Sequence, residues 1–240
     1  MSNISRLTSL AAAGSGGPSY EIAYSSTAGD QLVSFSSGSI SQISTINNAS
    51  TKVLAYSDDG SYLITGGSSL SVYDSSVEGV LTAVGSVAVN KAVISLDMNS
   101  AKTRIATGHD NDYAANATPA RLFSFSGGNP SQIATQHKGT TYNGSATVFN
   151  PNGTRIYYGQ TNQNNTSVVS VTTPDTLPVS IGGIDYDLYL PQSIRCTGLV
   201  FDPVNQSRIG VAVWTSVSSQ PNLYILNATA NPNTAGFAGL

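Results

Sequence analysis

One short pattern constrains this chain more than any other: a tight turn that runs straight into a strand, and then returns. Residues 150 to 159 read NPNGTRIYYG. Asn150, Pro151, Asn152 and Gly153 are turn formers, because proline presets φ and asparagine and glycine tolerate left-handed backbone. Arg155, Ile156, Tyr157 and Tyr158 instead suit a pleated, half-buried strand. The pattern recurs as SLDMNSAKTRIATG at 95–108, as VFDPVNQSRIGV at 200–211 and, with aromatics, as AYSDDGSYLITGG at 55–67. A degenerate copy, AYSSTAGDQLVSF, lies at 23–35. Taking Gln31, Tyr62, Arg104, Arg155 and Arg208 as equivalent gives spacings of 31, 42, 51 and 53. Repeats of this length are supersecondary units that bury their apolar faces against neighbouring units.

Each unit resolves into short strand candidates separated by turn clusters. Residues 53–89 give VLAYS, YLITG, LSVYD and VLTAVGSVAV. Residues 93–138 give Val93 to Asp97, Arg104 to Thr107, the alternating Arg121 to Ser126, and Gln132 to Gln136. Residues 147–182 give TVFN, RIYYG, SVVSV and PVSI. The recurring turn therefore joins the first two strands of a unit, and the Ile and Tyr residues after it pack between units. The first unit has little room for a fourth strand. Ahead of it, Ile4, Leu7 and Leu10 stand three apart in SNISRLTSLAAAG. That spacing suits a short amphipathic helix capped by Ser2 or Asn3, or equally a strand closing the array. Gly14 to Pro18 reads as a linker. The expected organisation is an arm and linker over 1–17 and a single all-β domain over 18–240.

The residues of the turn-and-strand pattern, above all Phe149 to Tyr158 and Tyr56 to Ile64, resemble the repeats of YVTN and WD-repeat-like β-propellers. The resemblance spans about residues 20 to 230 and implies an all-β propeller, with five units implying five blades. The Trp-Asp ending of true WD40 blades is missing, Tyr73-Asp74 being the nearest. Such a repeat is informative about fold and nearly silent about function. In overall style the chain also resembles structural proteins of tailed-phage virions: a short N-terminal arm, a Gly-rich linker, then a charge-poor domain rich in Ser, Thr, Asn and Gly.

Composition bounds the chemistry. Charged residues are 10% of the 240, and the net charge is −3. A surface made largely of neutral hydrogen-bonding groups costs little to desolvate, which suits packing against protein or sugar. No run of Lys or Arg favours nucleic acid, and no apolar run approaches the length of a membrane helix. The single cysteine, Cys196, has no partner for an intrachain disulfide. No secretory leader is recognisable, so synthesis in a cytoplasm is expected.

Candidate sites are few. Asp110, Asn111 and Asp112 could offer oxygen ligands on a loop, although the glycine and distal glutamate of an EF-hand are missing. Asp185, Tyr186 and Asp187 lie in an apparent insertion, GGIDYDLYLPQ, and could present two carboxylates to a sugar. Asp58, Asp97 and Asp202 recur at one repeat position, where a turn aspartate bonds its own backbone. His109 and His137 lack partners at metal-ligand spacing, so neither metal nor other cofactor is expected. Tyr157, Tyr158, Tyr186, Tyr189 and Trp214 could stack on sugar but suit a core equally. Cys196 reads as a small buried hydrophobe.

The reading that joins these features is a non-enzymatic virion structural protein, a capsid decoration or tail component present in several copies. Ile4, Leu7 and Leu10 of the arm would anchor it to other virion proteins. The alternatives are a carbohydrate-binding propeller, with cell-surface sugar as partner, and a propeller lactonase or glycosidase. Nucleic acid and membrane are not expected partners.

Overall fold

The computed structural model describes residues 4–10, 19–26, 29–36, 39–46, 51–77, 80–110, 120–136, 142–162, 167–172, 186–189, 194–202, 207–215, 223–227 and 238–239. Among these, all regular structure is β. The first sheet holds β1 (Ile4–Leu10), β2 (Ser19–Ser26), β3 (Gly29–Ser36) and β4 (Ser39–Ile46). The second holds β5 (Val53–Tyr56), β6 (Tyr62–Gly66), β7 (Ser69–Asp74) and β8 (Thr82–Ala88). The third holds β9 (Val93–Met98), β10 (Arg104–His109), β11 (Ala120–Ser124) and β12 (Ser131–Gln136). The fourth holds β13 (Tyr142–Phe149), β14 (Ile156–Asn162), β15 (Ser167–Thr172) and β16 (Tyr186–Tyr189). The fifth holds β17 (Ile194–Phe201), β18 (Arg208–Thr215), β19 (Leu223–Asn227) and β20 (Ala238–Gly239). Every sheet is a four-stranded meander in chain order. Such local, antiparallel pairing is what short strands joined by tight turns produce.

The chain divides into two compact units, Met1–Val93 with Phe125–Ser131, and Ile94–Ser124 with Gln132–Leu240. Within the first, β5 lies beside β1 and β2. Within the second, β13 lies beside β10, and β17 lies beside β13 and β14. The pleat explains how one strand serves two neighbours. Ile156 and Tyr158 of β14 point one way, onto Ala106, Ala120 and Leu122. Tyr157 points the other way, onto Phe201, Ile209 and Val211. Its ring meets Phe201 edge-on at a centroid distance of 5.1 Å. The Ile and Tyr residues that follow the recurrent turn thus fill the spaces between sheets, as the pattern implies.

Two expectations are corrected at the sheet edges. The stretch set apart as an arm enters the fold: of the two conformations its spacing suits, Ile4–Leu10 takes the strand, β1, paired antiparallel with β2 from Ile4↔Tyr24 to Leu10↔Ser19. Ile4 and Thr8 are β-branched, and β2 offers a full backbone ladder that an isolated two-turn helix lacks. This strand completes the first sheet, which seemed short of one, so Gln31 falls in β3 and is not equivalent to Tyr62 or Arg104, which open second strands. In the fourth sheet the last strand is Tyr186–Tyr189, paired with Val168–Val171. Tyr186 and Asp187 therefore belong to a strand and not to a loop insertion. The segment PVSI at 178–181 lies outside the described residues.

Candidate functional site

The recurrent turn is a hydrogen-bonded device with defined positions. Its first residue is Ser57, Asn99 or Asn150, whose carbonyl accepts the N–H three residues on, from Gly60, Lys102 and Gly153 at 2.8–2.9 Å. The same first side chain then caps the opening N–H of the next strand. Tyr62 N–H donates to Ser57 Oγ at 3.0 Å, Arg104 N–H to Asn99 Oδ1 at 2.8 Å, and Arg155 N–H to Asn150 Oδ1 at 2.8 Å. The fourth residue is left-handed in all three, with φ of 73° at Gly60, 56° at Lys102 and 70° at Gly153. Glycine reaches that region without strain, and lysine does not.

These bonds reassign the recurring aspartates. Asp202 N–H donates to Arg208 carbonyl, as Asn99 and Asn150 donate to Arg104 and Arg155, so Asp202 holds the first turn position. Asp58 holds the second, and the acidic acceptor of its turn is Asp59, whose Oδ1 takes the Ser61 N–H at 3.1 Å. Asp97 lies in β9, where its Oδ2 accepts the Phe149 N–H at 2.8 Å and fastens β9 to β13. The three are not one repeated position. Sequence alignment misplaces them because side chains with the same turn chemistry (Ser, Asn, Asp) crowd adjacent positions. Asp74 accepts from Ser76, which holds its carboxyl below the usual range.

A second repeated feature had no signal that sequence spacing alone would have ranked. Gly66, Gly108 and Gly159 are equivalent positions in β6, β10 and β14. A methyl group at Gly66 would meet Val93 and Val53 at 2.6–2.8 Å. At Gly108 it would overlap Ser95 Oγ and the Gly144 carbonyl, and at Gly159 the Cys196 sulfur. Each glycine lies where two first strands approach, its own sheet's and a following one. Cys196 is buried there as expected, and burial pushes its thiol up to about 12.

The remaining polar candidates divide between buried and exposed positions where they are described. On β10 and β11, Thr107, His109 and Arg121 are buried on one face. Thr107 Oγ1 and His109 Nε2 bond at 2.8 Å, and Arg121 Nη1 donates to Gln132 Oε1 at 3.3 Å. Thr65 is the equivalent of Thr107, but Gly67 stands where His109 would be. The buried hydroxyl of Thr65 has no hydrogen-bond partner among the described residues. Asp110 is exposed just beyond β10. Asp112, Asp185 and His137 lie outside the described residues, as do the side chains of Ile4, Leu7, Leu10, Tyr186, Asp187 and Tyr189. Among the described residues no group of three His, Cys, Asp or Glu is placed to hold a metal ion. Tyr157 and Tyr158 are core residues, so of the candidate stacking aromatics with a described side chain, Trp214 alone is exposed.

Trp214 belongs to the feature that stands out on the surface. In the fifth sheet Phe201, Ile209, Val211, Val213 and Tyr224 face inward onto the fourth. The opposite face carries Val200, Gly210, Ala212, Trp214 and Leu223, paired Val200↔Gly210 and Ala212↔Leu223. Val200 is 63%, Trp214 52% and Leu223 40% exposed. A sheet with one apolar face buried normally turns a polar face outward; here the middle of the outer face is apolar, and Arg208, exposed at the start of β18, stands at its edge.

Comparison with known proteins places the fold. No protein-family model matches the sequence, and no curated protein matches it. Solved β-propellers match the structure. The periplasmic gluconolactonase PpgL of Pseudomonas aeruginosa superposes with a TM-score of 0.68 at 11% identity, over 100% of this chain and 67% of that one. The β-propeller domain of Cps50 (Swd1) from Myceliophteria thermophila gives 0.64 at 12%, over 91% and 67%. Chaetomium thermophilum Sqt1 bound to the N-terminus of the ribosomal protein L10 gives 0.58 at 14%, over 89% and 57%. The fold is an all-β propeller of four-stranded sheets, and the chain spans 57% to 67% of the length of these three structures.

Proposed function

We propose that this chain is a non-enzymatic, protein-binding propeller that works as a structural component of a multi-copy assembly. The observation that carries the reading is the exposed apolar face around Val200, Trp214 and Leu223. Exposed apolar patches of this kind mark a place where protein docks. Sqt1, of similar fold, holds a segment of another protein. The use made of the carboxylates speaks for a non-catalytic role: Asp59, Asp74 and Asp97 each accept a backbone N–H. PpgL shows that the fold also carries an enzyme, so chemistry has to be argued from side chains and not from the fold.

The finer assignment is to a virion, as a capsid decoration or tail component made in the host cytoplasm. It is supported by the charge-poor surface, 10% Asp, Glu, Lys and Arg, which can be buried between subunits at little electrostatic cost. The test is incorporation. Purified particles from producing cells should contain the wild-type chain in many copies. They should lack Val200→Lys, which stays soluble and folded. Retention of that variant, absence of the wild-type chain from particles, or turnover of a lactone or glycoside by the purified protein would each overturn the reading.

A further inference from the structure

We propose that Asn152 is a self-modification site: in the folded protein its side-chain amide is lost to attack by the backbone nitrogen of Gly153, and the turn between β13 and β14 acquires a carboxylate. The pair Asn-Gly occurs twice in the chain, at Asn143-Gly144 and Asn152-Gly153. The reaction has three needs. The amide carbon must lie near the next backbone nitrogen, the next residue must have no side chain to block the approach, and the backbone must be free to bend into a five-membered ring. The turn at 152 meets them. Asn152 and Thr154 are exposed. Asn152 Oδ1 accepts the Thr154 N–H at 3.2 Å and the Thr154 hydroxyl at 2.6 Å, and Asn150 Nδ2 donates to that same hydroxyl at 3.1 Å. The bond from Oδ1 to the Thr154 N–H closes a loop around the Gly153 nitrogen, which keeps the amide beside the peptide that attacks it. Both donors also point at the oxygen on which charge gathers during attack. The space beside Gly153 is open, since a Cβ there would meet nothing nearer than 3.5 Å. One bond opposes the reaction: Gly153 N–H donates to the Asn150 carbonyl at 2.8 Å and has to let go first. Opening one exposed turn costs far less than opening a sheet.

The step balances with water alone. Gly153 N attacks Asn152 Cγ and its proton passes to water. The Cγ–Nδ2 bond breaks, ammonia leaves, and a succinimide remains. Water then opens one carbonyl or the other, which leaves aspartate at 152, or isoaspartate with the main chain running through the side-chain carbon. The second sheet shows what the aspartate product does. Its turn carries Asp59, Gly60 and Ser61 where this one carries Asn152, Gly153 and Thr154, and both glycines are left-handed, with φ of 73° and 70°. Asp59 Oδ1 accepts the Ser61 N–H at 3.1 Å and the Ser61 hydroxyl at 2.8 Å, the two bonds that Asn152 accepts from Thr154. Aspartate at 152 therefore keeps the turn. Isoaspartate does not, because its extra main-chain carbon displaces the Gly153 N–H from the Asn150 carbonyl and pulls on the cap from Arg155 N–H to Asn150 Oδ1 at 2.8 Å. The other Asn-Gly pair is protected. Asn143 and Gly144 lie within β13, paired with Thr161 and Gln160. Gly144 is buried, and its carbonyl accepts from Ser95 Oγ at 3.3 Å. A paired, extended strand has to leave its sheet before it can bend into the ring.

Peptide mapping by mass spectrometry tests this, on the full chain stored at physiological temperature and mildly alkaline pH in water labelled with heavy oxygen, beside a sample kept unfolded in urea. In the folded sample Asn152 should convert and take up the label. Asn143 should convert at least about tenfold more slowly, because its reaction waits for a sheet to open. In urea the two should convert at similar rates. Electron-transfer fragmentation should find both aspartate and isoaspartate at 152, and ion exchange should separate them from the parent, since each carries one more negative charge. The aspartate form should unfold at the temperature of the parent, as should Asn152→Asp made directly, and the isoaspartate form should unfold lower. Asn152→Gln, whose side chain is one carbon too long for the five-membered ring, should keep its amide in the folded chain. Asn152 intact in the folded sample while the unfolded one converts overturns the proposal, as does Asn143 keeping pace with Asn152 in the folded sample. An Asn152→Asp variant that melts well below the wild type overturns the equivalence with Asp59, and with it a folded turn that survives its own modification.

Discussion

Lys102 and Gly153 occupy one backbone position in two copies of the same turn, so exchanging their side chains should move stability in opposite directions. Lys102 has φ of 56° and Gly153 of 70°, both left-handed. A Cβ costs about 1–2 kcal/mol in that region through its contact with the following carbonyl. Lys102→Gly removes this cost but gives the unfolded chain more freedom, worth about 0.5–1 kcal/mol. The net gain is about 0.5–1 kcal/mol. Gly153→Ala meets both terms with the opposite sign. A methyl at Gly153 would touch nothing nearer than Asn99 Cβ at 3.5 Å, an ordinary contact, so no packing term confuses the result. The expected loss is again about 0.5–1 kcal/mol. For a chain of this size 1 kcal/mol corresponds to about 2–4 °C in Tm. Differential scanning calorimetry of the two variants and the wild type should place Lys102→Gly above and Gly153→Ala below. If both fall, or neither moves, the turns do not share the left-handed position and the equivalence drawn from their hydrogen bonds is wrong.

Thr65→Val should raise stability by about 1 kcal/mol, because it removes a buried hydroxyl without a partner, whereas Thr107→Val should lower it by a similar amount through loss of the His109 bond; urea midpoints of the two variants decide. Gly108→Ala should cost about 3 kcal/mol or prevent folding, since the Gly144 carbonyl it would meet is backbone and cannot turn aside; a near-neutral thermal midpoint would contradict the close approach of β10 and β13. Stability should fall as pH rises above about 8. Cys196, near 8.5 when unfolded and pushed up to about 12 when folded, releases its proton only on unfolding, as does buried Tyr158, whose phenol is also pushed up. From Cys196 alone the loss should reach about 2 kcal/mol by pH 10, and it should be absent in Cys196→Ala by denaturant titration at each pH.

The local design of this protein is written in its sequence, because short-range chemistry determines it. Asn-Pro-Asn-Gly before Arg-Ile-Tyr-Tyr prescribes a turn, a cap and a strand from side chains a few residues apart, and β5 to β12 fall close to where alternation and turn residues put them. The fold class followed from repetition of that unit. The positions of the acidic residues did not. Asp97 resembles a turn residue in sequence, yet its partner is the Phe149 N–H fifty-two residues on. β1 stayed open between helix and strand, and β16 was placed in an insertion, for the same reason: a strand at the end of a sheet owes its conformation to the ladder beside it, and Ile4–Leu10 and Tyr186–Tyr189 carry weak propensities of their own. The face around Val200, Trp214 and Leu223 was the least legible of all. Alternation along β17 to β19 separates two sets of residues but cannot say which set is covered. Past Arg208 both rows are apolar or small, and only the packing of the inner row onto Tyr157 leaves the other open to solvent.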